Sequence, residues 1–291
     1  MGQQDSITAK MPGAMPVAAR SSPHVHTQFC DGKSSAREMV KSALARGFVS
    51  LGFSSHAKQT FDQFYAMDDA GEDLYLAEIG NLQEEFKGRI RIWRGMERDL
   101  YSYADRKLFD YVIGSVHNIP CPDGLMLPVD ADPKLLRDGI TRYFSGSGIY
   151  FTQAYYALLG AYIKDYQPDI IGHFDLPTKF NECNEFFSEN DPDYIVGALR
   201  AMDQAILGCR LMEVNTGAMA RIGKEHPYPS LELLLYWRKL GGEVILSSDC
   251  HDARLLDAGY DQALQLIKEA GYKKAAILGR QETLFEWVEI T

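Results

Sequence analysis

The chain reads as an α/β protein whose parallel sheet closes into a single TIM-like (β/α) barrel. Three observations predict this. Short apolar runs alternate with amphipathic helical stretches along most of the 291 residues, and such alternation implies a parallel sheet with helices outside. The units are more numerous than an open sheet needs, and single barrels often reach this length. Six of the seven histidines stand close behind apolar runs or in an extended segment, and strand ends are where a barrel builds a site.

Residues 1–22 are rich in Gly, Ala, Ser and Pro and carry little periodicity. They read as a loose leader or a remnant of expression, with one barrel domain at 23–291. The first strand is expected at His24, because Pro23 suits a strand's start. Ser35 and Glu38 form a capping-box signal, and Met39, Val40, Ala43 and Leu44 follow it at helical spacing up to Gly47. Residues 49–53 form a short buried strand. A helix fits 73–86, stopped by Gly88. Strands fit 90–93, running on towards Glu97, and 111–116. Helices fit 133–144 and 149–166, followed by a strand at 170–173. The remaining pairs are a helix at 194–206 with a strand at 210–214, a helix at 230–240 with a strand at 243–246, and a helix at 260–270 with a strand at 275–278. Tyr150, Phe151, Tyr155, Tyr156 and Tyr162 share helical spacing and are expected in the core.

The formal net charge is −10, which disfavours long nucleic acid and membrane surfaces as partners. A small phosphorylated metabolite stays compatible, because ions and one or two arginines can hold a phosphate inside an acidic protein. The five cysteines are odd in number and show no CxxC spacing. They predict a reducing cytoplasm and no disulfide framework. No apolar run approaches the length of a membrane span, and no secretory signal is present. The expected assembly is a monomer or a homodimer.

His24-Val25-His26 on an extended segment places two imidazoles on one face. Both can serve one metal, with Asp249 as a partner. Glu97 can bridge that ion to a second, completed by His117 and His173. Asp31, His56 and His251 can hold a third. Imidazole and carboxylate suit zinc, iron and manganese alike, so two or three such ions are expected. A lone histidine at a strand end is more often a capping or core residue; six with three acids favour metal. Cys30 and Cys250, beside ligands, are expected to be spectators pointing away.

The motifs together resemble a known family. They are His24-Val25-His26-Thr27 with Cys30-Asp31-Gly32, Gly52-Phe53-Ser54-Ser55-His56, Gly95-Met96-Glu97, Gly114-Ser115-Val116-His117, Gly172-His173-Phe174-Asp175 and Ser248-Asp249-Cys250-His251. They look like the successive motifs of the polymerase-and-histidinol-phosphatase (PHP) superfamily. Asp175-Leu176 with Lys179-Phe180-Asn181, and Glu213-Val214-Asn215-Thr216-Gly217 with Pro227-Tyr228-Pro229, look most like its histidinol-phosphatase branch. The resemblance implies a distorted (β/α)7 barrel, a trinuclear metal site and hydrolysis of a phosphate monoester. L-Histidinol phosphate, cleaved to L-histidinol and phosphate in histidine biosynthesis, is the leading substrate. It also implies the three ligand sets given above. The chain departs from the family pattern at Ser55, where members often carry an acid, and at Ser22-Pro23.

Arg221 is expected to clamp phosphate, since a guanidinium matches phosphate geometry. Glu97, Asp249 and His251 are the expected catalytic groups, Glu97 as the bridge and one of the other two as proton donor to the leaving alkoxide. Glu213 and Asn215 are candidates for a polar substrate group, His226 for a lid contact, and Lys179 and Arg98 for further anion binding. The alternatives are a PHP-type phosphoesterase for a nucleotide or another phosphorylated metabolite, and a non-catalytic metal-binding module.

Overall fold

A computed structural model describes residues 20–61 and 64–290. Most of the proposed leader, residues 1–19, lies outside the described residues. The chain begins with β1 (Arg20–Ser22), α1 (Ala36–Ala45), β2 (Phe48–Phe53), α2 (Asp69–Glu85), β3 (Arg91–Asp99) and β4 (Tyr111–Ser115). A small hairpin of β5 (Asn118–Pro120) and β6 (Met126–Pro128) follows, then α3 (Pro133–Tyr143), α4 (Gly148–Tyr166) and β7 (Ile170–Ile171). The last part holds α5 (Pro192–Ala205), β8 (Leu211–Asn215), α6 (Gly217–Ile222), α7 (Leu231–Lys239), β9 (Glu243–Ser247), α8 (Tyr260–Glu269), β10 (Lys274–Leu278) and β11 (Phe285–Glu289). The main sheet runs β1-β2-β3-β4-β7-β8-β9-β10-β11. Every pairing in it is parallel except the terminal β10–β11 hairpin. The result is a TIM-like barrel, distorted where its first and last parallel strands meet.

That seam is closed by side chains instead of a regular ladder. Ser21 Oγ accepts from Leu278 N (3.1 Å), Ser50 Oγ donates to Leu278 O (2.6 Å), and Ser248 N donates to Ser22 Oγ (3.1 Å). Hydroxyls can do this because each both donates and accepts. Inside the barrel, the Tyr111 ring fills space left by two glycines. A Cβ on Gly52 would stand 2.1 Å from the Tyr111 hydroxyl, and one on Gly95 would stand 2.2 Å from its ring. The Tyr111 hydroxyl donates to Pro23 O, which fixes the segment leading to His24.

The capping box forms as expected. Ser35 Oγ accepts from Glu38 N (3.3 Å) and Glu38 Oε2 accepts from Ser35 N (2.8 Å), while Met39, Val40 and Ala43 are buried. Ser35→Ala should destabilise the fold by about 1 kcal/mol, read from the urea midpoint at constant m-value.

Several expectations need correction. The first described strand, Arg20–Ser22, lies ahead of Pro23 and not at His24. Proline has no N–H to continue the ladder, and Val25 makes only an isolated bridge, to Cys250. The second helix starts at Asp69, four residues early, because Asp68 caps it by accepting from Gly71 N. Tyr150 is 61% exposed; it sits in the first turn of α4, on the face away from the sheet. The hairpin β5–β6, helix α6 and strand β11 were not expected. Each is short, and short elements carry too few residues for a periodic signal.

Candidate metal centre

The sheet delivers the histidines and acids to one end of the barrel. His24 and His26 follow β1 on an extended segment tied to Cys250 by His26 N→Cys250 O (2.9 Å). Their rings lie side by side, centroids 5.0 Å apart. His56 follows β2 and is bridged to Glu97 on β3. His117 follows β4, His173 follows β7, and Asp249 and His251 follow β9.

Glu97 is at the centre, 1% exposed. Its Oε2 lies 3.1 Å from His24 Nε2, 3.4 Å from His26 Nε2 and 3.0 Å from His56 Nδ1. Its Oε1 lies 2.9 Å from His173 Nε2 and 3.4 Å from His117 Nε2, and accepts from Ser115 Oγ at 2.7 Å. Asp249 Oδ1 stands 3.2 Å from His26 Nε2. Asp31 stands 3.1 Å from His251 Nε2 and 3.7 Å from His56 Nε2. Three groups have ligand atoms close enough to share a cation: His24, His26 and Glu97; His56, Glu97 and His117; and His26, Asp31, His56 and His251.

The donor set fits metal on a second count. His24 Nε2, His26 Nε2 and Glu97 Oε2 are buried and face one another, yet none makes a hydrogen bond. Buried polar atoms without partners cost free energy, of order 1–3 kcal/mol each. A cation among them removes that cost.

A layer of acids beneath the rings aims them. Glu213 Oε2 lies 2.9 Å from His24 Nδ1 and accepts from Ser247 Oγ at 2.7 Å. Glu213 Oε1 accepts from His173 N (2.6 Å) and from Asn215 Nδ2 (2.7 Å). Asp99 Oδ2 takes both His117 N (2.6 Å) and His117 Nδ1 (3.0 Å). The contacts to His24 and His117 occupy Nδ1 and leave Nε2 for a metal. Asp99→Asn should weaken metal retention by about 10- to 100-fold, checked by competition with a chromophoric chelator.

The charges hold one another in place. Burial opposes ionisation of Glu97, but the His24, His56 and His117 charges outweigh it and hold the carboxyl well below its usual range. Asp249 is lowered against the same burial, first by Arg221 and then by His24. His24 and His117 are raised despite burial, by Glu213 and Glu97 for the first and by Glu97 and Asp99 for the second. His26 is lowered by burial and by the neighbouring His251 and His56.

A cavity of about 540 Å³ opens over this cluster. Arg221 reaches into it from α6, donating from Nη2 to Asp249 Oδ2 (3.0 Å), with Nη1 3.0 Å from His251 Nε2. Lys179 lines it too, bonded to Asp130. The remaining candidates are elsewhere. Glu213 and Asn215 are fully buried under the rings and do not line the cavity, because strand alternation turns 213 and 215 into the barrel. His226 is exposed beside Glu225, on a separate groove. Arg98 stacks on Tyr166, 4.1 Å from the ring centroid, and bonds Tyr162. Cys30 is no spectator, since its Sγ lies 3.4 Å from His26 Nδ1. Ser55 Oγ pairs with Thr27 Oγ1 at 3.2 Å.

With the site in view, the chain can be set beside known proteins. The PHP domain profile matches residues 22–217. The chain belongs to the PHP domain family. It is 29% identical over 259 residues to a "Probable histidinol-phosphatase" of Deinococcus radiodurans, covering 85% of this chain and 92% of that protein. It is 28% identical over 272 residues to a histidinol-phosphatase of Lactococcus lactis subsp. lactis, covering 87% and 92%. A crystal structure of histidinol phosphate phosphatase from Lactococcus lactis, complexed with Zn, L-histidinol and phosphate, superposes with TM-score 0.63. That match has 24% identity and covers 90% of this chain and 97% of that one.

Asp99, Asp130, Tyr65 and Asn118 belong to the site of this PHP chain and were missed in the sequence. Asp99 had a signal, for it stands two residues beyond Glu97 on the same strand face. Tyr65, whose ring meets His56 edge-on at 4.8 Å, had none. Among the described residues, no helix is long and apolar enough to cross a membrane.

Proposed function

We propose that this chain is a metal-dependent phosphatase that hydrolyses L-histidinol phosphate to L-histidinol and phosphate. The observation that carries the reading is the trio of buried, unpartnered ligand atoms on His24, His26 and Glu97, of which Glu97 lines an open cavity together with His56, His117, His173, Asp249 and His251. The relatives, matched over more than four-fifths of the chain, supply the substrate. A purely structural metal site would be closed; this one faces a space large enough for a small metabolite.

His24, His26, Glu97 and Asp249 would hold one ion, Glu97, His117 and His173 a second, and Asp31, His56 and His251 a third. Zinc, iron and manganese all suit these donors, and two or three ions are proposed. Bound there, they supply an activated water and positive charge for phosphoryl oxygens. Arg221 pairs with the phosphoryl group and offsets charge developing in the transition state. Asp249 or His251, both on the cavity wall, would pass the proton released by the attacking water to the leaving alkoxide. Glu213 and Asp99 keep the imidazoles aimed while this happens. A cytoplasmic monomer or homodimer acting on a small metabolite, and on neither membranes nor long nucleic acid, completes the reading.

The test is release of inorganic phosphate from L-histidinol phosphate against nucleotides, sugar phosphates and a diester, with metal content measured on the same preparation. The expected result is a clear preference for L-histidinol phosphate, lost on chelation and restored by divalent metal. A metal-replete protein that prefers another ester rejects the substrate; one that hydrolyses none rejects catalysis.

A further inference from the structure

One wall of the cavity is built by the hairpin inserted after β4 and the residues that follow it. Asn118 pairs with Pro128 across it, and Val129 N donates to His117 O at 2.8 Å. The hairpin thus hangs directly from a candidate ligand and carries Asn118, Pro128 and Asp130 to the cavity. Loops at this end of a barrel set specificity.

Asp130 differs from the other acids of the cavity. Asp31, Glu97 and Asp249 point into the metal cluster. Asp252 has both oxygens occupied by Arg254, at 2.9 and 2.5 Å. Lys179 Nζ donates to Asp130 Oδ2 and to Asp130 O, both at 2.8 Å, which leaves Asp130 Oδ1 without a hydrogen-bond partner among the described residues. The side chain is 23% exposed and lines this space. Burial works against its ionisation, but the charges of Lys179 and His117 outweigh that and keep it anionic. A free anionic oxygen, fixed by an anchored lysine and facing a ligand cavity, asks for a cation on the ligand.

We propose that Asp130 Oδ1 receives the protonated amine of an aminoalkyl phosphate whose phosphoryl group lies on the metal cluster, and that this contact selects aminated substrates over plain phosphate esters. The inference rests on the phosphatase reading above and adds the residue that determines its specificity. In this assignment Asp130 recognises the organic half of the substrate and takes no part at the phosphorus. Lys179 acts through it by holding Oδ2, so its role is positioning and not phosphate binding.

The test compares L-histidinol phosphate with its deamino analogue, 3-(imidazol-4-yl)propyl phosphate, on the metal-loaded wild type, Asp130→Asn and Asp130→Glu. The quantity read is the ratio of the two kcat/KM values, which a general disturbance of the fold or metals leaves unaltered. The wild type should favour the aminated ester by about 10- to 100-fold, the range expected for a hydrogen bond between charged partners. Asp130→Asn should bring the ratio close to one, chiefly through KM, and Asp130→Glu should recover part of it. A ratio that Asp130→Asn leaves at the wild-type value overturns the assignment while hydrolysis of L-histidinol phosphate stands. A wild type that cleaves other phosphate esters but not L-histidinol phosphate overturns the substrate reading itself, and is recognised without any variant.

Discussion

Glu97→Gln is expected to lower kcat/KM for L-histidinol phosphate by at least about 10³-fold while the barrel stays folded. Among the described residues, Glu97 is the one side chain within 3.5 Å of five histidines: His24, His26, His56, His117 and His173. An amide keeps the volume but removes the charge that offsets those imidazoles, and it presents one oxygen where two were offered. Metal retention should fall with turnover, because Glu97 is shared by two of the groups able to hold an ion. Circular dichroism and the thermal midpoint report the fold, elemental analysis reports the metal, and phosphate release reports the activity. A folded variant with wild-type turnover removes Glu97 from the mechanism.

Arg221→Met should reduce kcat by about 10²- to 10³-fold, the usual cost of deleting one preorganised charge donor. The guanidinium is placed for this by α6, a helix of six residues that follows directly on β8. It already touches Asp249 and His251, so its loss could also disturb those groups. Arg221→Lys separates the two effects. Lysine keeps the charge but not the planar fork, so it should restore a minor part of the rate if charge on the phosphoryl group is what matters. Equal loss in both variants with full metal content points to geometry, and an unchanged kcat in Arg221→Met ends the clamp assignment.

The metal residues were legible because chemistry and position coincide in them. His117, His173 and Asp249 each stand near the end of an apolar run, His24 and His26 share one face of an extended segment, and strand ends in a barrel converge. The substrate wall was not legible. Asp130 reaches the cavity two residues beyond a hairpin of two three-residue strands, too short to leave a periodic trace. Its neighbour Lys179 looked like an anion binder, because sequence cannot reveal that an ammonium is already bound to a carboxylate 49 positions away. Glu213 and Asn215 were candidates for a polar substrate group, and their place beneath the imidazoles was not legible for a related reason. Their spacing puts them on one strand face, but only the closed sheet determines that this face lies beneath the imidazoles.

Alternating apolar runs and helical stretches were enough to determine the barrel, because each strand or helix is specified locally by periodicity, caps and turns. The identities of the histidines and acids were enough to determine the chemistry, because few side chains can hold a transition metal. The tertiary structure alone decided which ring nitrogen is free and which acid orients it. It also decided that one carboxylate oxygen of a cavity-lining residue, Asp130, has no hydrogen-bond partner among the described residues. Those properties belong to pairs of residues brought together by closure of the sheet, and a pair separated by tens to hundreds of positions leaves no mark in either local sequence.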